Sequence, residues 1–199
     1  ADNPELLKAK ELGIKIYSFP TFIAEHAKNK QRIVVGGSHG KTTVTSIIIN
    51  ALQYAGKKFD YLIGGRPEGF DKNIRLSADA PIMIIEGDEY LTSPLDSTPK
   101  FLHYDGHIRI ITGIAWDHIN VFPNFDEYVE QFRKFINTSP KSGTLIYNST
   151  DKLLSKVLKK SEIRDDVNQV SYEPHKHKIA DGNTVLIDAD KNKHAIKLF

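Results

Sequence analysis

Cysteine is missing from all 199 residues of this chain. No disulfide framework and no thiolate metal site can therefore be built, and the chain is compatible with a reducing cytoplasm. Long apolar runs are missing too: none approaches the roughly 18 residues of a membrane span. The N-terminus, Ala1-Asp2-Asn3-Pro4-Glu5, is charged and has no apolar stretch behind it of the kind a secretory signal carries. Charge of one sign is nearly balanced out, with 27 basic against 25 acidic residues and a net +2. So small a surplus does not by itself argue for nucleic acid. Neither nucleic acid nor membrane is expected as a partner. Internal repeats and low-complexity tracts are also lacking. What remains is an ordinary globular composition, 40% hydrophobic and 26% charged, long enough for one α/β domain or one domain plus a fragment. Ala1 is not a start methionine, and the chain stops inside a strand-like run, Ala195 to Phe199. Both ends are expected to be cuts from something longer.

Against these absences one stretch stands out: Gly37-Ser38-His39-Gly40-Lys41-Thr42-Thr43. It follows an apolar run, Ile33-Val34-Val35. It leads into a helical pattern with Val44, Ile47, Ile48, Ala51, Leu52 and Ala55 on one expected face. Strand, glycine loop, Lys-Thr and helix form the layout of a phosphate-binding P-loop. Glycines let backbone N–H groups converge on phosphate oxygens, and the helix start adds the positive end of its dipole. Lys41 supplies a point charge, and the Thr42 hydroxyl can ligate Mg²⁺. The strict pattern wants a further glycine where Val35 stands, so this is a shorter variant.

Strand-like and helical patterns alternate along the chain. Helices are expected over Pro4 to Leu12, Pro20 to Lys28, from the loop to Gly56, over Phe125 to Ile136 and over Leu153 to Leu158. Strands are expected at Ile14 to Tyr17, Phe59 to Ile63, Pro81 to Ile85, Ile108 to Ile114, Gly143 to Tyr147 and Val167 to Tyr172. A closing hairpin is expected from Val185 to Asp188 and His194 to Phe199. Residues 66–80 and 90–107 read as loops. The alternation predicts an α/β, P-loop-like, mainly parallel sheet with helices on both faces, and a domain boundary near residues 29–32.

In such sheets ligands lie beyond the carboxyl ends of strands. The run Pro81 to Ile85 ends in Glu86-Gly87-Asp88-Glu89. An acidic residue there, downstream of a P-loop, has the Walker-B arrangement, whose carboxylate holds Mg²⁺. The run Ile108 to Ile114 leads to Trp116-Asp117-His118. On its residue type alone His118 is either a structural histidine or a ligand to a second Mg²⁺. His103, His107, His175 and His177 read as surface or loop histidines. A GTPase should carry Asn-Lys-x-Asp and Asp-x-x-Gly, and both are absent. No arginine-rich lid segment marks a small-molecule kinase. A non-catalytic nucleotide-binding module is the reading from another class, and the acidic strand end speaks against it.

Together the strand-end motifs resemble the Mur ligase family of peptidoglycan synthesis and recycling. Its loop Gly-Thr-x-Gly-Lys-Thr/Ser-Thr/Ser is matched by Gly37 to Thr43, with Ser38 for the Thr. Its Glu-x-Asp-Glu is matched by Glu86 to Glu89, and its Asp-His pair by Asp117-His118. Asn3-Pro4-Glu5-Leu6 is similar to the close of the family's first domain. The resemblance implies that residues 1–30 are the remnant of a UDP-binding, Rossmann-like domain and residues 31–199 an incomplete ATP-binding central domain. It implies a bacterial, cytoplasmic, ATP- and Mg²⁺-dependent ligase that turns the lactyl carboxylate of UDP-N-acetylmuramate into an acyl phosphate and couples it to an amine. Lys41, Glu86 and His118 would be catalytic, and Thr42, Glu86 and His118 would hold metal. Gly37, Ser38, His39, Gly40, Lys41, Thr42 and Thr43 would bind the nucleotide, with the backbone of Ser38 to Lys41 cradling phosphate. Glu89-Tyr90, Pro99-Lys100-Phe101-Leu102-His103-Tyr104 and Gly64-Gly65-Arg66-Pro67 resemble the recycling branch, which adds a murein tripeptide; the alternative adds L-alanine. Where the family has Asn-Ile/Leu-Glu, this chain has Gly113-Ile114-Ala115. Arg133 falls near the place of a carbamoylated lysine found in other branches. The fragment alone is expected to be inactive.

Overall fold

A computed structural model describes residues 3–67, 69–116, 121–180, 183–188 and 190–196. In chain order the elements are α1 (Pro4–Glu11), α2 (Phe19–His26), β1 (Gln31–Gly36), α3 (Lys41–Tyr54), β2 (Asp60–Leu62), β3 (Ile74–Arg75), β4 (Ile82–Glu86), β5 (Leu91–Ser93), β6 (Asp96–Pro99) and α4 (Lys100–His103). There follow β7 (Ile108–Ile111), α5 (Phe125–Asn137), β8 (Thr144–Asn148), α6 (Lys152–Lys159), β9 (Asn168–Tyr172), β10 (His177–Ala180), β11 (Asn183–Ile187) and β12 (Lys193–Ile196).

Seven strands form the main sheet in the order β3-β2-β4-β1-β7-β8-β9. All its pairings are parallel except β2 with β3. The order places β1 at the centre. Val35 of β1 lies level with Glu86 of β4, and Gly36 lies level with Ile111 of β7. The carboxyl ends of these strands therefore meet at one place, the switch point where ligands bind in doubly wound sheets.

Side chains alternate across a strand, so each apolar strand feeds two cores. Val34, Met83 and Ile85 face one core with Tyr128, Phe132, Phe135 and Ile136 of α5 and Leu154 and Val157 of α6. Ile33, Ile82 and Ile84 face the other, against Ile48, Ile49 and Leu52 of α3. Helices thus cover both faces, as the alternating pattern predicts. Helix α5 carries most of this packing. Asn124 caps it by accepting from Asp126 N at 2.8 Å, and acidic Asp126 and Glu127 sit in its first turn. Its four fully buried side chains contribute about 1.5–3 kcal/mol each by leaving water. Arg109, only 2% exposed, closes the other end by donating to Phe135 O, to Thr138 Oγ1 at 2.9 Å and to Thr138 O at 2.7 Å. Burial pulls its guanidinium down to about 10.

At the opposite end of the sheet a buried carboxylate ties three segments together. Asp60 accepts from Lys30 Nζ at 2.6 Å, Ser77 Oγ at 2.7 Å and Ser77 N at 3.0 Å, with His26 Nε2 at 3.3 Å. Burial alone would raise its pKa, but these partners outweigh it and hold the carboxyl below its usual value.

Four expectations need correction. Residues 66–80 are not all loop but carry the edge strand β3, antiparallel to β2. Ile14 to Tyr17 forms no strand; it has no partner strand, and Ile14 and Ile16 are exposed. Residues 90–107 are not a plain loop but hold the β5–β6 hairpin and α4. Local polar bonds build that hairpin, among them Thr98 N to Asp96 Oδ1 at 2.9 Å and Thr92 Oγ1 to Thr98 O at 2.7 Å, and they leave no apolar pattern to read. On α3 the expected Ile48 and Leu52 do pack inward. The fully buried positions, however, are Thr45 and Ile49, and Ile47, Ala51 and Ala55 of the expected face are exposed, Ile47 by 62%. The final hairpin is β11–β12, joined by β10 into a separate antiparallel sheet.

Candidate functional site

The chain leaves β1 at Gly36 and enters α3 at Lys41 within four residues, which demands backbone shapes that only glycine adopts freely. Gly37 has φ of 130° and packs against β7; a Cβ there would collide with Thr112 Oγ1 and stand 3.0 Å from Thr112 N. Gly40 is left-handed, with φ of 77°, and is the N-cap of α3 with no side chain covering the helix start. Among the described residues no backbone bond uses the N–H groups of residues 39–42. These donors and the dipole of a 14-residue helix make an anion cradle.

Ser38 has a different part. Its N–H donates to Gly113 O at 3.0 Å, its Oγ donates to Ala115 O at 2.7 Å, and Ala115 N donates back to Oγ at 2.8 Å. Tyr128 OH lies 2.7 Å from the same Oγ. Its N–H is therefore committed inside the protein. The free backbone donors thus lie one residue further on than Ser38–Lys41, at residues 39–42, and Ser38 fixes the shape of the loop. Gly113-Ile114-Ala115, where the resembling family has polar side chains, makes these contacts with its backbone. Ile114 N also donates to Asp151 Oδ2 at 2.9 Å, while Asp151 caps α6.

Lys41 and Thr42 turn toward β4. The Lys41 ammonium donates to Gly37 O at 2.7 Å and lies 2.9 Å from Glu89 Oε2. Thr42 Oγ1 donates to Glu86 Oε1 at 2.8 Å, and Gly64 N donates to Glu86 Oε2 at 2.7 Å. The two carboxylates thus serve different partners: Glu89, 1% exposed, balances the lysine, and Glu86, 9% exposed, faces the threonine hydroxyl. His39 and Thr43 lie on the exposed side of the loop and helix start. Asp117 and His118 lie outside the described residues. Arg133 pairs with Glu130 at 2.6 Å on the surface of its own helix.

Thr42 and Glu86 offer oxygen donors of the type a hard cation takes, and among the described residues no cluster of three or more His, Cys, Asp or Glu competes with them. Two protein oxygens completed by phosphate and water is the usual Mg²⁺ mode, so the residues present fit Mg²⁺. A cavity of about 360 Å³ opens beside them, with Lys41, Glu86, Asn73, Tyr90 and Lys100 in its wall. Larger cavities near Phe70 and near His107 contain none of the loop residues.

Sequence reasoning missed three members of the site. Glu89 was quoted within a motif without a role of its own. Tyr128 lay inside the helix expected over Phe125 to Ile136, with no role beyond its helical position. Gly64 read as a branch marker, whereas a Cβ there would stand 2.6 Å from Glu86 Oε1. The Gly64-Gly65 doublet after a strand was the available signal for close backbone approach.

A family described as the Mur ligase middle domain matches residues 35–199. The chain is 33% identical over 157 residues to UDP-N-acetylmuramate--L-alanyl-gamma-D-glutamyl-meso-2,6-diaminoheptandioate ligase of Haemophilus influenzae, covering 78% of this chain and 34% of that protein. It is 37% identical over 162 residues to UDP-N-acetylmuramate--L-alanine ligase of a Hydrogenobaculum species, covering 79% and 34%. The chain thus spans about a third of the length of the curated relatives it matches. Among solved structures, the UDP-N-acetylmuramate:L-alanyl-gamma-D-glutamyl-meso-diaminopimelate ligase of Neisseria meningitides superposes with a TM-score of 0.80 at 26% identity, over 98% of this chain and 64% of that one. The UDP-N-acetylmuramate-alanine ligase of Thermotoga maritima shares the fold, with a TM-score of 0.65 at 18% identity over 99% and 44%.

Proposed function

The chain belongs to the Mur ligase family, and from that premise we propose that it is the ATP-binding core of an enzyme that couples the carboxylate of UDP-N-acetylmuramate to an amine. The observation that carries the reading is the meeting of Lys41, Thr42 and Glu86 at the carboxyl ends of β1 and β4, beside a cavity large enough for part of a substrate. Both groups of relatives named above act, by their names, on UDP-N-acetylmuramate.

In this reading the N–H groups of residues 39–42 and the Lys41 ammonium hold the phosphate chain of ATP. Thr42 and Glu86 would hold one Mg²⁺, and His118 a second. When bound, Mg²⁺ neutralises phosphate charge and polarises the γ-phosphoryl group. The protein's own share is positional. Glu89 holds the Lys41 ammonium in place, Gly64 N orients the Glu86 carboxylate, and the Ser38–Tyr128 bond fixes the loop. The substrate carboxylate attacks the γ-phosphorus and ADP leaves. The amine then attacks the acyl phosphate, forming the amide and releasing phosphate. Lys41 and Glu86 are the catalytic groups among the described residues.

The amine is assigned as a murein tripeptide, with L-alanine the alternative. The closer superposition on the Neisseria enzyme, 0.80 against 0.65, supports the tripeptide. Residues 1–30 are assigned to the end of a preceding UDP-binding domain and residues 31–199 to the ATP-binding domain. No helix among the described residues is long and apolar enough to cross a membrane, and the UDP-sugar and ATP substrates suit a bacterial cytoplasm. The test is ADP release by the full-length parent with UDP-N-acetylmuramate and each amine in turn. Amine-dependent ADP release is expected; none with either amine would leave a nucleotide-binding module without ligase activity.

A further inference from the structure

The cavity beside the glycine loop has two cations in its wall among the described residues, and they arrive from different elements. Lys41 comes from the loop, and its ammonium is bound by Gly37 O and by buried Glu89. Lys100 comes from the junction of β6 and α4. Its Nζ lies 2.9 Å from Asp88 Oδ2 and 5.7 Å from the centre of the Tyr90 ring.

Lys100 is held far more firmly than a surface lysine. Its N–H donates to Tyr90 O at 2.9 Å, and Phe101 N donates to Asp88 O at 3.1 Å. Asp88 Oδ1 accepts from Tyr90 N at 2.9 Å, so the carboxylate that pairs with Lys100 also shapes the chain around it. The next side chain, Phe101, is 1% exposed and lies 4.7 Å, centre to centre, from the Phe135 ring of α5. The backbone is anchored while the charged tip is open to solvent: the Lys100 and Asp88 side chains are 28% and 37% exposed, against 13% and 1% for Lys41 and Glu89.

Acyl-phosphate formation brings two anions together, a carboxylate and a γ-phosphate, in a partly dry cleft where like charges repel strongly. Lys41 and the loop N–H groups stand on the phosphate side. The carboxylate side needs a cation of its own, in the same cavity and outside the loop. Lys100 meets both conditions, and its contact with Asp88 already has the geometry of an ammonium on a carboxylate. Tyr90 flanks it, with its ring centre 5.7 Å from the ammonium.

We propose that Lys100 binds the carboxylate of the acyl substrate and holds it against the γ-phosphate, an assignment that rests on the ligase reading above. The substrate carboxylate takes the place of Asp88 on the ammonium, and Asp88 keeps its bond to Tyr90 N.

The experiment compares the full-length parent with Lys100→Ala and Lys100→Arg. It reads kcat and KM for UDP-N-acetylmuramate, calorimetric affinity for Mg²⁺–ADP, and binding of UDP-N-acetylglucosamine, which keeps the diphosphate and lacks the carboxylate. Lys100→Ala should raise the KM for UDP-N-acetylmuramate by about 10- to 100-fold, the usual worth of a charge-assisted contact. Lys100→Arg should restore part of that loss. Affinities for Mg²⁺–ADP and UDP-N-acetylglucosamine should stay at wild-type values. An unchanged KM in Lys100→Ala, with an active wild type, overturns this inference alone. Equal weakening of both UDP-sugars moves Lys100 to the diphosphate and also overturns it, and loss of ADP affinity marks a merely structural lysine. A wild-type parent that releases no ADP with UDP-N-acetylmuramate sinks the ligase reading itself.

Discussion

Gly64 offers a way to displace the proposed metal carboxylate without touching it. An alanine Cβ at this position would stand 2.6 Å from Glu86 Oε1, 2.9 Å from its Cδ and 3.2 Å from Oε2. Gly64 is not in a left-handed conformation, so alanine is conformationally allowed and the strain falls on the carboxylate. Relief of the overlap requires Glu86 to retreat by roughly half an ångström or more, a large shift beside Mg²⁺–oxygen distances held near 2.0–2.1 Å. The Gly64 N–H bond and the Thr42 hydroxyl contact, at 2.7 and 2.8 Å, cannot both survive that retreat.

Overpacking costs about 1–3 kcal/mol, and the lost flexibility of the unfolded chain offsets about 0.4–1 of it. The resulting fall in Tm is about 2–8 °C for a domain of this size. The functional effect is larger. Misplacing a reacting group by a fraction of an ångström to one ångström lowers turnover by about 10- to 100-fold. The assay is ADP release by the full-length parent across a Mg²⁺ titration, with Gly65→Ala as control. A Cβ on Gly65 meets only Thr42 Cγ2, at an ordinary 3.8 Å. Gly64→Ala should lose turnover and need more Mg²⁺, while Gly65→Ala should resemble wild type. If the two behave alike, Gly64 does not position Glu86 for catalysis.

The loop lysine should matter at the binding step: Lys41→Ala removes a charge-assisted contact worth about 1.5–3 kcal/mol, so calorimetry should find ADP affinity at least tenfold weaker. His118→Ala in the full-length parent should cut turnover with the melting temperature unchanged; near-normal turnover at saturating Mg²⁺ would return His118 to a structural role. Asp60 predicts acid sensitivity. Its folded pKa lies below the unfolded 3.8, so its stabilisation is complete above that value and is lost as pH falls through the folded pKa. Wild type should therefore lose stability below about pH 4 more steeply than Asp60→Asn, and parallel pH curves from denaturant melts would refute the assignment.

The sequence showed the sheet because each of its central strands is apolar on both faces and ends in a turn or a polar motif. Ile82 to Ile85 reads as a buried strand, and it is one, packed between α3 and α5. The hairpin at β5–β6 did not show, because Thr92, Ser93 and Asp96 build it through side-chain bonds to nearby backbone rather than through apolar alternation. The face of α3 was misjudged for a related reason. Apolar periodicity located the helix, but the left-handed entry at Gly40 and the demand that Thr42 reach Glu86 set its rotation, and Ile47 was turned to solvent.

The site divides along the same line. Gly37, Gly40, Lys41 and Thr42 could be read because one loop puts their whole chemistry into consecutive residues. Glu86 could be read because the end of a buried strand is a fixed address next to that loop. The residues that make them work come from elsewhere in the chain. Glu89 meets Lys41 across 48 positions and Tyr128 meets Ser38 across 90, through the adjacency of β1, β4 and α5 and through no local spacing. These partners hold the motif in its working shape. Tyr128 OH lies 2.7 Å from Ser38 Oγ and 3.5 Å from Glu89 Oε1, so one phenol connects the loop to the carboxylate that balances Lys41. The P-loop and the acidic strand end already meet directly, through Lys41 on Glu89 and Thr42 on Glu86, and the phenol adds α5 to that meeting.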